Sequence, residues 1–96
     1  MNFDLEPRAQ VDLENIWDYT ADRWDSGQAD DYVGQITQTC AELAAGTRSG
    51  RDMGIVRPHY FKYPVGSHVV YYRFGRNNRL AVVRILHQRM DVTRHL

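Results

Sequence analysis

From residue 9 to residue 24 the chain repeats at three- and four-residue steps. Ala9, Leu13, Ile16, Trp17, Thr20 and Trp24 fall on one side, and Asp12, Glu14, Asn15, Asp18 and Asp22 fall mainly on the other. This spacing predicts an amphipathic helix of roughly five turns. Pro7 suits its first turn, where a missing N–H costs nothing. Before it, Phe3-Asp4-Leu5 alternates like a short strand and stops at the proline. Asp25-Ser26-Gly27-Gln28 breaks the pattern and restarts it, with Asp25 placed to cap a second helix and Gln28 three residues on, as in a capping box. That helix carries Ala29, Tyr32, Val33, Ile36, Cys40, Leu43 and Ala44 on one face, and Gly46 is a natural stop. The tight link between the two predicts an antiparallel helical hairpin.

Beyond a polar loop at Thr47–Gly54 the pattern changes to that of strands, at about Tyr60–Val65, His68–Phe74 and Leu80–His87. Turns are expected at Pro64–Ser67 and Gly75–Arg79. Short connections make the three strands antiparallel neighbours. The whole reads as an α+β fold, an N-terminal strand and a helical hairpin packed on a mainly antiparallel sheet, ending in a short C-terminal segment. In the last strand Ala81, Val83, Ile85 and His87 share one face, expected under the helices, and Leu80, Val82, Arg84, Leu86 and Gln88 share the other. The second face is too apolar to stand in water, yet Arg84 lies at its centre. It calls for a cover, either the folded-back segment Met90–Leu96 or a partner, and for a carboxylate or carbonyl at the guanidinium.

Length adds that 96 residues make one domain, 1–96, with a thin core that a partner can help stabilise. No apolar run approaches the roughly 20 residues of a membrane span, and the start of the chain lacks signal-peptide character. The single cysteine, Cys40, excludes an internal disulfide and makes a cytoplasmic location the expectation. It lies on an apolar stripe with no basic neighbour, as a core residue rather than a nucleophile. His59, His68, His87 and His95 are scattered without ligand spacing, so neither a metal nor a cofactor is expected.

The formal net charge of zero conceals a split. Residues 1–46 hold ten acids and only two bases, Arg8 and Arg23, whereas residues 47–96 hold ten bases and only two acids, Asp52 and Asp91. Either the second half is a basic face for an anionic partner, or the halves complement each other internally.

Six blocks then combine. They are Asp12-Leu13-x-x-Ile16-Trp17-x-Tyr19, Arg23-Trp24, Gln28-Ala29-x-x-Tyr32, Arg57-x-x-Tyr60, Gly66-Ser67-His68-x-x-x-Tyr72-Arg73 and Val83-Arg84-Ile85-Leu86-His87-x-x-Met90-Asp91. In order and spacing, over essentially the whole chain, this resembles the ParE toxins of the RelE/ParE superfamily. The resemblance implies a non-enzymatic toxin of a type II toxin–antitoxin system that poisons DNA gyrase. It also implies a hetero-oligomer with a ParD-like antitoxin, which alone contacts operator DNA and wraps the toxin with an acidic C-terminal segment. It assigns a target-inhibition surface to Arg84, His87, Arg89, Met90 and Asp91, and antitoxin binding to Leu13, Trp17, Tyr32, Tyr60, Tyr72 and Arg73. The chain departs from the pattern at Asp25 and Phe61, where Gly and a basic residue are common, and at Gly46-Thr47, where a proline is usual.

The alternative is a ribosome-dependent mRNA endonuclease of the RelE branch. RNA cleavage needs a base, an acid and cations for the phosphorane, and His87, His59, Arg84 and Arg73 supply the types. With one lysine, Lys62, the set is incomplete, and His68 beside a turn is expected to anchor its strand. The arginines do not gather on a recognition helix, against a stand-alone nucleic-acid reader. Trp17 and Trp24 are expected to be structural.

Overall fold

The computed structural model describes all 96 residues, Met1–Leu96. The chain runs β1 (Phe3–Leu5), α1 (Pro7–Arg23), α2 (Ser26–Ala45), β2 (Arg51–Asp52), β3 (Phe61–Val65), β4 (His68–Phe74), β5 (Leu80–His87) and α3 (Val92–His95). The five strands form one sheet in the order β1-β5-β4-β3-β2, with β1 parallel to β5 and the other pairs antiparallel. The expected α+β architecture is therefore present.

Local chemistry sets the helix ends. The Asp25 side chain accepts the Gln28 N–H at 2.8 Å, and Gly46 closes α2 in the left-handed region at φ 83°. Leu13, Ile16, Ile36, Cys40 and Leu43 of the hairpin bury against Phe3, Val65, Val70, Tyr72, Leu80, Val82 and Ile85 of the sheet. No helix is long and apolar enough to cross a membrane.

Three expectations are corrected. First, the faces of β5 are not constant along its length. Tyr71 pairs with Arg84 and Tyr72 with Val82, so Val83 is an extra residue in the ladder. The bulge shifts the side-chain phase by one: Leu80 and Val82 face the helices before it, and Ile85 after it. Second, the polar loop contains the two-residue edge strand β2, paired with β3 through Arg51–Lys62 and Asp52–Phe61. Its polar side chains hid it, since an edge strand is held by backbone bonds. Third, Trp24 is not part of the core: it stands 62% exposed just past the end of α1.

The reverse face of the sheet is covered by the chain itself. Val92 and Leu96 pack over Met53, Tyr71 and Leu86 in a small second cluster. The charge split is partly consumed internally, because all four ion pairs join an acid of the first half to a base of the second. They are Glu42–Arg48, Glu6–Arg73, Asp4–Arg79 and Asp12–Arg84. The first three are partly exposed and contribute little to stability.

Candidate functional site

Strand β1 pairs only with Leu80–Val82, so β5 continues beyond it with no strand on that edge. There a cleft of about 720 Å³ opens between the C-terminal half of α1, the start of α2, the β3–β4 turn and the end of β5. Its floor is Arg84, Ile85, Leu86 and His87. Asp12, Ile16, Tyr19, Arg23 and Trp24 wall one side, and Gln28, Tyr32, Ser67, His68 and Met90 complete it.

Arg84 has the partners its position demanded, a carboxylate and a carbonyl. Its Nε and Nη2 donate to Asp12 Oδ2 and Oδ1 at 2.7 and 2.9 Å, and its Nη1 donates to His95 O at 3.0 Å. Asp12 Oδ2 also accepts the Ile85 N–H at 2.9 Å, occupying a donor on the edge that β1 leaves open. Hydrogen bonding to Asp12 holds the Arg84 guanidinium pKa above its ordinary value.

Tyr32 joins α2 to the opposite wall. Its hydroxyl accepts the Ser67 N–H at 3.1 Å, lies 3.3 Å from Val65 O and 2.6 Å from His68 Nδ1. Gly66 turns the chain here at φ 57°, and a Cβ on it would stand 2.7 Å from a Tyr32 ring carbon. The block Gly66-Ser67-His68 thus fits Tyr32, and His68 anchors its strand as expected. Burial and the neighbouring His87 lower the His68 pKa, against a smaller opposing pull from Asp12.

The five residues of the C-terminal block separate by environment. His87, Arg89 and Met90 are exposed, Met90 to 40%. Asp91 is also exposed but turned to its own chain: its Oδ1 accepts the Thr93 N–H and hydroxyl at 3.0 and 2.7 Å, capping α3. Those bonds hold its carboxyl pKa below the ordinary value. It makes no ion pair with His87. Arg84 is the floor beneath them.

The six residues assigned to antitoxin binding do not form one patch. Leu13 and Tyr72 are buried, and the Tyr72 hydroxyl accepts the Gly50 N–H at 2.8 Å. Trp17 is half-buried, its indole N–H donating to Asp30 Oδ1 at 2.8 Å. Tyr60 lies under the Arg57 guanidinium, 5.0 Å from ring centre, and Arg73 bonds Glu6 at 2.6 Å. Only Tyr32 reaches the cleft. Sequence reasoning passed over Asp12, Tyr19 and Arg23 as cleft residues. Asp12 sits on the side of α1 that reads as solvent-facing, and its place depends on how soon β1 ends.

This arrangement has relatives. The family described as the ParE toxin of the type II toxin–antitoxin system parDE matches residues 3–92, and the chain belongs to that family. Toxin ParE1 of Mycobacterium tuberculosis is 46% identical over 92 residues, which cover 96% of this chain and 94% of the relative. Toxin ParE1 of Caulobacter vibrioides is 38% identical over the same coverage. Toxin ParE of Escherichia coli is 33% identical, covering 96% of this chain and 89% of the relative. Among solved structures, the chromosomal ParDE toxin–antitoxin system from P. aeruginosa superposes with a TM-score of 0.76 at 19% identity, covering 91% of this chain and 95% of that one. At that identity the likeness is one of fold.

Proposed function

We propose that this ParE-family toxin arrests growth by binding DNA gyrase and leaving it on cleaved DNA, and that a ParD-like antitoxin neutralises it in a hetero-complex. Family membership over residues 3–92 carries the reading. The toxin acts by occupying a surface of its target rather than by catalysis. Two cations that the nuclease reading would use are engaged within the chain, Arg84 by Asp12 and Arg73 by Glu6.

Within the C-terminal block, exposure divides the labour. His87, Arg89 and Met90 project outward and make the contact. Arg84 and Asp91 support them, one fastening the chain end to α1 and β5, the other capping α3. The antitoxin contacts DNA for the complex, and the toxin's acidic helical hairpin does not.

The test is to incubate purified toxin with gyrase and supercoiled plasmid, then denature and look for linear DNA. Toxin-dependent cleaved DNA that disappears on adding antitoxin is the expected result. Untouched gyrase together with cut mRNA on ribosomes would overturn it in favour of the endonuclease.

A further inference from the structure

Two histidines stand side by side in the cleft with half of each ring uncommitted. His68 opens β4 and His87 ends β5, and the sheet register sets them opposite one another. Their rings meet edge to face with centroids 5.4 Å apart. Each uses its Nδ1 inside the chain: His68 Nδ1 bonds the Tyr32 hydroxyl at 2.6 Å, and His87 Nδ1 accepts the Arg89 N–H at 3.2 Å. Neither Nε2 has a partner in the chain, and both rings line the cleft.

The groups facing this pair are few. From α1 come Asp12, Tyr19 and Arg23, from α2 Tyr32, and from β5 Arg84. Asp12 and Arg84 neutralise each other, and Arg23 makes no ion pair. The cleft therefore offers positive charge and two imidazoles, with its one acid already spent. Tyr19 and Trp24, 66% and 62% exposed, flank it with apolar surface. That combination suits an acidic side chain on a peptide better than a bare inorganic ion.

We propose that His68 and His87 recognise a carboxylate carried by an acidic segment of a protein partner, and that one proton is taken up from solvent as the carboxylate enters. The proposal rests on reading the chain as a toxin held by such a partner. Without a partner, burial and then the adjacent imidazole lower the His68 pKa and disfavour its protonated ring. A carboxylate at the two Nε2 atoms supplies the opposite charge and favours the protonated ring. Tyr32 makes the change possible without losing a bond. When Nδ1 becomes a donor, the hydroxyl accepts from it and turns its own proton to Val65 O, 3.3 Å away. Linkage then requires binding to tighten as pH falls through the histidine range.

A capped peptide of alternating glutamate and leucine, with a glutamine-for-glutamate control, tests the site without the natural partner. Glutamate stays ionised throughout, so the pH dependence reports the protein. Binding of the glutamate peptide should strengthen severalfold from pH ~8 to pH ~6, about tenfold being the ceiling set by one pKa unit of gain in the complex. NMR of the ring protons should show His68 titrating at higher pH in that complex, and the His87 signals should shift on binding. The glutamine peptide should show neither effect, and H68Q and H87Q should flatten the dependence. If H68Q fails to fold, H87Q carries the test, since His87 is exposed. Equal binding of the glutamate peptide at both pH values, no binding at either, or the same response to both peptides overturns the proposal. A second arm measures proton uptake when a purified ParD-like antitoxin binds. Failure of the antitoxin to bind at all defeats the toxin–antitoxin reading, while the peptide result still decides the site. Tight antitoxin binding without proton uptake overturns the inference and leaves that reading standing.

Discussion

Asp12 and Arg84, 72 positions apart, form a two-pronged ion pair in which each side chain is only 11% exposed. The same carboxylate accepts the Ile85 N–H, and the same guanidinium donates to His95 O. One acid therefore ties α1 to the open edge of β5, and through Arg84 to the chain's end. Asp12→Ala leaves a poorly solvated cation and an unpaired N–H. It should cost about 3 kcal/mol, the low end for breaking a buried pair. Urea unfolding measures it, and a loss under about 1 kcal/mol would place the pair with ordinary surface contacts.

Because Arg84 is structural in this sense, its substitution does not isolate the target surface. The exposed trio does. His87→Ala, Arg89→Ala and Met90→Ala together should abolish growth inhibition, with stability changing by no more than about 0.5 kcal/mol per site. Arg84→Ala should lose toxicity along with thermal stability. Induction of each variant in a host lacking the antitoxin, beside a melting curve, separates the two. Full toxicity of the triple variant would move the contact elsewhere.

Both helices of the hairpin were legible from short-range signals, because Pro7, the Asp25 cap and Gly46 act within one turn of where they stand. The three long strands were legible for the same reason. The faces of β5 were not, since one bulged residue at Val83 reverses the alternation and its cause lies in the pairing with β4. Arg84's need for an anion was readable from its apolar neighbours, but Asp12 as the anion was not. Asp12 falls on the polar side of α1, and meets β5 only because β1 stops at Leu5. The His68–His87 contact is likewise a product of register, invisible across 19 residues of chain.

The Tyr32 hydroxyl serves Ser67, Val65 and His68 together. Tyr32→Phe keeps the ring and removes the hub, leaving a backbone N–H and an imidazole nitrogen without their partner. The expected cost is about 1–3 kcal/mol. Gly66→Ala strikes the same joint from the other side, by its positive φ and its closeness to the ring. A denaturant midpoint for Tyr32→Phe equal to that of the unaltered chain would show that water replaces the hydroxyl at no cost.

Cys40 is fully buried on α2, and burial pushes its thiol pKa up to about 12. Reaction requires the thiolate, so the native protein should resist a disulfide reagent at mildly alkaline pH. Its labelling rate should rise with urea in step with unfolding. Stoichiometric labelling within seconds under native conditions would mean that the helical hairpin opens locally from the sheet.

The lowered pKa of His68 has a definite consequence for acid stability. Its ordinary value is 6.5, and the folded chain holds it below that, first through burial and then through His87. Below pH 6.5 the unfolded chain binds a proton that the folded chain refuses, so more protons are bound in the unfolded state. Stability is therefore undiminished above pH 6.5 and declines as pH falls from there through the folded value. Carboxylates titrate lower, near pH ~4, and leave this window largely to histidine. His68→Gln should flatten the decline, and His87→Gln should reduce it by removing the like charge. Urea unfolding at closely spaced pH values measures the slope. A wild-type slope across this window that neither substitution alters would assign the acid sensitivity to groups outside the cleft.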